Sequence, residues 1–260
     1  MNGLAAPPIR PLLTSALLSV FPALLLVTGL AVGIGKLFRL SPSYAGQCLL
    51  VFGGLLLFLS PFLYQHLPLA NFGAANRVTL LRAGIVALVA GLIGQAGLTP
   101  NLGWFVAGLA GFTLLLDGVD GWLARRHGLA SPFGARFDME VDAFLILVLA
   151  ALVYRQADKA GGWVLLSGVM RYGFVALGYA LPWLNRPLPP RKRRQTVCVI
   201  QTTVLAACLT PLPVPPWTTV LAAFGLGLLT LSFAVDIVWL ARQTAPDEGA
   251  GARSSLKAEP

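Results

Sequence analysis

The segment Asp117–Asp142 reads DGVDGWLARRHGLASPFGARFDMEVD and contains five of the ten acidic residues in the chain of 260. The sequence on both sides is apolar, with no charge from Ala83 to Leu116 and a mostly apolar run from Ala143 to Tyr154. An ionised carboxylate within a membrane helix costs on the order of 2.5–3.5 kcal/mol on insertion scales, so a cluster of them needs compensation. The segment therefore predicts two membrane helices whose facing ends carry a cluster of acidic residues with a function.

The composition excludes a soluble domain. Hydrophobic residues make up 57% of the chain, charged residues only 11%, and the mean hydropathy is +0.77. Soluble domains contain roughly 25% charged residues, which they need to cover a surface in water. We therefore predict an all-α integral membrane protein that contacts membrane lipids and has no nucleic-acid partner.

The apolar runs predict eight helices, since a spanning helix needs about 20 apolar residues. Turn residues at 98–101 divide an uncharged stretch that is too long for one span. The predicted helices cover about 12–35, 43–64, 76–97, 102–126, 132–155, 161–184, 195–212 and 217–241.

The basic residues predict the orientation of the chain, because short cytoplasmic loops are enriched in Lys and Arg. With the N-terminus inside, 14 of the 19 basic residues lie on the cytoplasmic side. Arg171 falls within a helix, and four residues lie outside: Lys36, Arg39, Arg155 and Lys159. This asymmetry predicts eight spans with both ends, and the acidic segment, on the cytoplasmic side.

The chain divides into three predicted parts. Residues 1–71 form an N-terminal extension with two transmembrane helices, and residues 72–242 form a six-helix core. Residues 243–260 are polar and are predicted to be a disordered cytoplasmic tail.

The acids have an ordered spacing. Asp117 and Asp120 are three residues apart, and Asp138 and Asp142 are four apart, so each pair lies on one helix face. The short connection predicts antiparallel neighbouring helices. About equal distances from Leu129 then place Asp120 level with Asp138, and Asp117 level with Asp142. Four carboxylates are thus predicted to converge between two helices.

Local signals mark the helix ends on either side of the connection. Gly128 is a plausible stop for the fourth helix. Ser131 is suited to cap the fifth helix and Pro132 to be its first residue.

Convergent carboxylates favour hard divalent cations such as Mg²⁺ or Mn²⁺, which are natural partners of a diphosphate. The small residues Gly121, Ala124 and Gly134 leave room beside the acids for a nucleotide or lipid diphosphate. The alternative for these residues is close helix packing. The alternative for the acids is pairing with nearby arginines at a solvated helix end: Arg125, Arg126 and Arg136.

These residues resemble a known family. Asp117, Asp120, Gly121, Ala124, Arg125, Gly134, Asp138 and Asp142 match the signature of the CDP-alcohol phosphotransferases at every fixed position. The segment Asn76-Arg-Val-Thr79-Leu-Leu-Arg82 is similar to the start of that family's first core helix, with Ala75 in place of the usual Pro. The basic run 191–194, followed by Thr196 and Gln201, is similar to a basic loop of that family and the Thr and Gln that follow it. The resemblance covers about 72–242.

The resemblance implies roles for individual residues. It implies a site for two Mg²⁺ or Mn²⁺ ions bound by Asp117, Asp120 and Asp138 and completed by Asp142, which would also be the general base. Gly121, Ala124, Arg125 and Gly134 would shape the CDP site, with Asn76 and Thr79 near the nucleotide. The family also implies a homodimer, and release of CMP during phospholipid synthesis.

Several alternatives remain open from the sequence. The lipid enters either as the donor CDP-diacylglycerol, with a small alcohol as acceptor, phosphorylated or not, or as diacylglycerol that accepts the headgroup of another CDP-alcohol. We prefer CDP-diacylglycerol because a basic cytoplasmic surface suits a phosphorylated acceptor. Two other classes are a cation transporter, which favours acids spread across the membrane, and a non-catalytic assembly protein. A bacterial cytoplasmic membrane is the expected location.

Other polar residues have less specific interpretations. Arg171, within the sixth helix, either binds a phosphate of the substrate or makes a structural ion pair. The run Arg191–Arg194 is typical of a topology signal and of contact with anionic lipid. Asp236 is expected to pair with Arg242 or with another cytoplasmic-side arginine. Glu140 lies off the metal face, and His66 has no evident partner. The three cysteines are expected in the core rather than in a disulfide or zinc site.

Overall fold

The structure is a computed structural model that describes residues 9–127, 131–156, 159–186 and 192–243. Every regular element in these ranges is helical. The eight predicted helices are present in the described ranges, in the predicted order. They are α1 (Ile9–Leu37), α2 (Ser43–Leu59), α3 (Ala74–Ala90), α4 (Pro100–His127), α5 (Pro132–Arg155), α6 (Leu166–Ala180), α7 (Lys192–Leu209) and α8 (Trp217–Arg242).

Three helices are shorter than predicted because their ends tighten into 3₁₀ turns. The chain after α2 is the 3₁₀ helix Ser60–His66, since Pro61 has no N–H for an α-helical hydrogen bond. The chain after α3 is the 3₁₀ helix Gly91–Gly94, which begins at a residue of low helix propensity. The α6 helix is preceded by Gly162–Leu165 and followed by Pro182–Asn185, both 3₁₀.

Six of the described helical segments are long and apolar enough to cross a membrane: Ile9–Leu37, Ser43–His66, Ala74–Gly94, Pro100–Leu123, Gly162–Ala180 and Trp217–Arg242. The chain is therefore an integral membrane protein. The α5 and α7 helices are not among these six, because α5 contains three acids, two of them from the predicted site, and α7 begins with three basic residues. The prediction that these two helices also span the membrane stays a prediction.

The α3 helix lies at the centre of the bundle. In its most apolar stretch of 18 residues, 72% is buried inside the bundle, against 17–28% for the other five candidate spans. The α1 and α2 helices pack against one part of α3, and α4 and α5 against another. On the α2 side, the Tyr44 hydroxyl donates to the Leu88 carbonyl at 2.8 Å. The central helix thus connects the N-terminal pair of helices to the helices with the acidic residues.

Small residues allow the helices of the core to approach closely. The backbone of Gly168 on α6 lies so near the Leu147 backbone on α5 that a Cβ there would clash, and Gly103 on α4 meets the Leu209 carbonyl of α7 in the same way. Membrane helices commonly use small residues for such contacts. The cysteines are unpaired, and two of them, Cys48 and Cys208, are buried in the core as predicted.

Candidate active site

The predicted acidic residues come together at the facing ends of α4 and α5. The second half of α4 supplies Asp117 and Asp120, and the first half of α5 supplies Asp138 and Asp142. The α5 helix begins as predicted: the Ser131 Oγ accepts a hydrogen bond from the Gly134 N–H at 3.0 Å, with Pro at the first helical position. The cap fixes where α5 starts and hence the level of its two aspartates.

The centre of the site is Arg82, from α3. Its side chain is 0% exposed and interacts with all four aspartates. Nη1 donates to Asp120 at 2.8 Å and to Asp138, while Nη2 donates to Asp142 and lies 3.1 Å from Asp117. A planar guanidinium with five donors is suited to joining several carboxylates in this way.

The arrangement around Arg82 agrees with the depths inferred from the spacing. Asp120 and Asp138, predicted to be level, share the Nη1 atom. Asp117 and Asp142, the other level pair, share Nη2. Each nitrogen therefore joins one aspartate of α4 to one aspartate of α5.

The cluster is unequally exposed. The side chains of Asp117 and Asp120 are 14% and 5% exposed, whereas those of Asp138 and Asp142 are 38% and 24% exposed. The α5 side of the cluster is thus the open side, from which a substrate can reach the carboxylates.

The charges and donor atoms fit a divalent cation. Four carboxylates and one guanidinium give a formal charge of −3, so Arg82 compensates only part of the negative charge. Carboxylate oxygens of Asp117, Asp120 and Asp138 all lie within 4.8 Å of one another. Oxygen donors at this density suit Mg²⁺ or Mn²⁺. Asp142 is outside this group of three, although it shares Arg82 with it.

Of two further predicted residues of α3, Thr79 contacts the aspartate cluster, whereas Asn76 bonds to the backbone just before α3. The Thr79 hydroxyl lies 3.1 Å from Asp120 Oδ2 and 3.2 Å from the Ala75 carbonyl, so its one proton is shared between two acceptors. The Asn76 amide donates to the Phe72 carbonyl at 2.6 Å. Both side chains are buried, and both are in contact with the protein itself.

The small residue Gly134 serves helix packing at its position. A Cβ on Gly134 would lie 2.9 Å from Asn76 Oδ1, which is closer than real Cβ contacts come. The glycine therefore lets the start of α5 approach α3. Gly121 lies on α4, one residue after Asp120. The side chains of Ala124 and Arg125, and the predicted stop at Gly128, lie outside the described residues and side chains.

Arg171 has a structural partner. Its Nη2 donates to Glu140 Oε1 at 2.6 Å, which joins α6 to the face of α5 away from the aspartates. Structural pairing, one of the two alternatives from the sequence, is thus present. Glu140 is also outside the group of three aspartates whose oxygens converge.

Two other arginines considered as partners of the acids contact aromatic rings instead. The Arg126 guanidinium lies 4.9 Å from the Trp122 ring centroid, and that of Arg136 lies 3.6 Å from the Phe62 centroid. Arg82 is the arginine that pairs with the aspartates, and the sequence prediction did not include it. Its position three residues after Thr79, in the segment that resembles the family's first core helix, could have indicated this role.

His66, which had no evident partner in the sequence, has two in the structure. Its Nδ1 lies 2.6 Å from the Ser131 hydroxyl and its Nε2 lies 2.9 Å from the Asn71 carbonyl. It is 1% exposed. His66 thus connects the N-terminal extension to the cap of α5.

Asp236 pairs with arginines of α7, and the side of the membrane on which they lie stays a prediction. Its carboxylate lies 2.5 Å from Arg193 Nη2 and 3.7 Å from Arg194 Nε. This pair joins α8 to the first turn of α7. Arg191, the first residue of the basic run, lies outside the described residues.

A family model described as CDP-alcohol phosphatidyltransferase matches residues 72–241, which is well over half of the chain. The chain belongs to the CDP-alcohol phosphatidyltransferase family. The match contains Arg82 and the four aspartates, whereas α1 and α2 precede it. Comparison with curated proteins and with solved structures found no significant match.

Membership of the CDP-alcohol phosphatidyltransferase family implies transfer of a phosphatidyl group from a CDP-alcohol to an alcohol acceptor. It makes this chain a membrane transferase of phospholipid synthesis. The dependence of the family on divalent metals is consistent with the three aspartates that bring their oxygens together.

Proposed function

We propose that this protein transfers a phosphatidyl group from CDP-diacylglycerol to a small alcohol and releases CMP, with Mg²⁺ or Mn²⁺ bound by the aspartates. The observation that carries the proposal is the convergence of four carboxylates from α4 and α5 on one buried arginine, with a net charge of −3. A site this negative binds a diphosphate only when cations are also present, which links metal and substrate binding.

Asp117, Asp120 and Asp138 would hold the metal, with Asp142 completing the site. When bound, the ions would neutralise the diphosphate and the negative charge that develops on CMP as it leaves. Among the described residues, Arg82 contacts one oxygen of each carboxylate and Thr79 contacts that same oxygen of Asp120, so a ligand would use the second oxygen of each. Arg82 therefore orients the carboxylates and reduces their mutual repulsion before any ion binds.

Asp142 is the general base in this proposal. It would accept the proton of the acceptor hydroxyl while that oxygen forms a bond to the phosphorus of the phosphatidyl group. The bond from this phosphorus to the bridging oxygen breaks, and CMP leaves with the electron pair. Two observations support this role: Asp142 lies outside the group of three that brings its oxygens together, and its side chain is partly open.

The surrounding residues would shape the donor site. Gly121, Ala124 and Arg125 follow the α4 aspartates in sequence, and Gly134 precedes those of α5. On α3, Thr79 touches Asp120 directly, and Asn76 lies beside Gly134 at the start of α5. Arg171 is proposed to contact a substrate phosphate only secondarily, since Glu140 already holds it.

The proposed location is a bacterial cytoplasmic membrane, with eight spans, a cytoplasmic active site and a homodimeric assembly. The excess of basic residues on the side of the aspartates supports this orientation. It also suits a phosphorylated, water-soluble acceptor, which a basic surface attracts.

The test is CMP release by the purified full-length protein with CDP-diacylglycerol, Mn²⁺ or Mg²⁺ and one acceptor at a time. Glycerol phosphate, inositol phosphate and serine form the panel. We expect release that depends on a single acceptor. If no acceptor supports release, CDP-choline or CDP-ethanolamine with diacylglycerol is tested next, and release there would replace the proposed donor. No release with any pair would contradict the proposal.

A further inference from the structure

A groove runs between α1, which precedes the family match, and the outer side of α3. Its volume is about 370 Å³. Leucine, isoleucine, valine and alanine side chains line most of it, among them Leu18, Ala23, Leu26 and Leu30 of α1 and Leu81 and Ile85 of α3. Several α1 side chains along it are exposed, Leu18 by 69% and Leu26 by 47%, so the groove opens to the outside of the helix bundle.

The groove is polar at one end only. There, Arg77 Nε donates to the Ser19 hydroxyl at 3.1 Å, which holds the guanidinium at the groove. Among the described residues, this is the hydrogen bond that the Arg77 side chain makes, and its two Nη groups have no acceptor there. An exposed guanidinium with free donors is suited to a phosphate oxygen.

The length of the groove matches one leaflet of a bilayer. From Leu18 to Leu30 the α1 helix rises about 18 Å at about 1.5 Å per residue. The hydrocarbon core of a bilayer is about 30 Å thick, so one leaflet is about 15 Å. An acyl chain that starts at the level of Arg77 therefore ends near Leu30.

The groove and the aspartates lie on different sides of α3. Arg77 faces Ser19 of α1, whereas Thr79 and Arg82 contact Asp120 of α4. Further along α3, a Cβ on Gly84 would lie 2.7 Å from Val27, so α1 and α3 touch there. A molecule in the groove is thus separated from the aspartates by the body of the central helix.

We infer that this groove is a phospholipid-binding site, with one acyl chain between α1 and α3 and the lipid phosphate on Arg77. The groove is apolar along the length of one acyl chain, and it has a cation at the end where the lipid headgroup would lie. The site is separate from the catalytic centre, and it gives α1 a function that the family match does not cover.

The test uses native mass spectrometry of the delipidated full-length protein in detergent, with dioleoyl-phosphatidylglycerol added as the probe. Dioleoylglycerol, which has the same chains and no phosphate, is the comparison ligand. We expect one retained phosphatidylglycerol per protomer. Ala23→Trp, which fills the groove, should reduce retention at least tenfold. Leu25→Trp is the matched control, because Leu25 is 58% exposed on α1 and does not line the groove.

Arg77→Gln keeps the groove open and removes the cation. We expect it to weaken phosphatidylglycerol retention about tenfold, the effect of losing a hydrogen bond to a charged group, and to leave dioleoylglycerol unchanged. Asp138→Asn should retain the lipid like the wild type, because the aspartates are on the other side of α3. Lipid retention is measured without CMP release, so the lipid site and the proposed reaction are tested independently.

Three results would overturn the inference. The first is equal retention by the wild type and Ala23→Trp. The second is loss of the bound lipid in Asp138→Asn, which would place the lipid at the aspartates. The third is a change from dimer to monomer in Ala23→Trp with lipid retention unaltered, which would make the groove an interface between copies of the chain.

Discussion

Arg82 shows how a single residue determines the electrostatics of the candidate site. It is fully buried, and its two Nη atoms each join an aspartate of α4 to an aspartate of α5. The spacing of the aspartates predicted both pairs, because helical rise fixes depth. It did not predict Arg82 between them, because that requires knowing that α3 packs against both α4 and α5.

Replacing Arg82 tests this arrangement. Arg82→Gln leaves four buried or partly buried carboxylates without their cation, and we expect a loss of about 3–5 kcal/mol in the free energy of unfolding. Thermal unfolding in detergent measures the loss. Added Mg²⁺ should restore more stability to this variant than to the wild type, since the ion then supplies the missing charge.

The matched control is Arg10→Gln, which removes an exposed arginine of α1 and should unfold like the wild type. An Arg82→Gln protein as stable as the control, with no added ion, would show that Arg82 does not hold the carboxylates together.

Asp142→Asn separates the proposed base from metal binding. CMP release should fall at least a hundredfold, because an amide cannot accept the proton of the acceptor hydroxyl. Protection by CMP plus Mg²⁺ against thermal unfolding should remain, since binding to the native state persists. The control is Glu140→Gln, the same change two residues away on the face that contacts Arg171. Normal turnover in Asp142→Asn, with protection intact, would exclude Asp142 as the base.

At the scale of elements, the start of α5 depends on a link to the N-terminal extension. Ser131 caps α5 through the Gly134 N–H, and His66 holds the Ser131 hydroxyl at 2.6 Å. The cap was predictable from the Ser-Pro pair, whereas His66 was not, because 65 residues separate it from Ser131. Local signals are visible in sequence, and contacts between distant elements are not.

Ser131→Ala tests the cap. We expect a loss of about 1 kcal/mol in the free energy of unfolding, the usual effect of removing an N-cap hydroxyl. Thr203→Ala is the control, because the exposed Thr203 hydroxyl donates, among the described residues, only to the Val199 carbonyl of its own helix. Thermal unfolding of the two variants should differ in the transition temperature. Equal transitions would mean that α5 is held by packing and not by its cap.

The apolar lengths predicted the number and order of the described helices, because a membrane helix must satisfy its own backbone groups. The ends were less predictable. Pro61 ended α2 early, and Gly91 turned the end of α3 into a 3₁₀ helix. These residues sit inside apolar runs, where hydropathy alone continues the helix.

At the scale of the whole molecule, the distribution of basic residues predicts the topology. Eight spans place the end of α8 inside and the end of α5 outside. A green fluorescent protein fused after Gln243 should fluoresce in a bacterial host. Alkaline phosphatase fused after Gln156 should be active, since the enzyme folds only outside the cytoplasm. The opposite pattern at either position would contradict the eight-span topology.

The division of the molecule at residues 71 and 72 stays a prediction. The α1 and α2 helices pack on α3, and His66 reaches the cap of α5, so the extension is in contact with the core. The sequence revealed these helices by hydropathy but gave no role for them, since they carry none of the motif residues.

Metal-dependent CMP release from CDP-diacylglycerol, compared between the wild type and Asp138→Asn, tests whether the aspartate cluster carries the reaction. We expect release by the wild type with an acceptor and Mn²⁺ or Mg²⁺. We expect none with a chelator, and none in the variant, because Asp138 belongs to the three aspartates with converging oxygens. Release that persists in Asp138→Asn, or without divalent ions, would contradict the assignment of the reaction to this cluster.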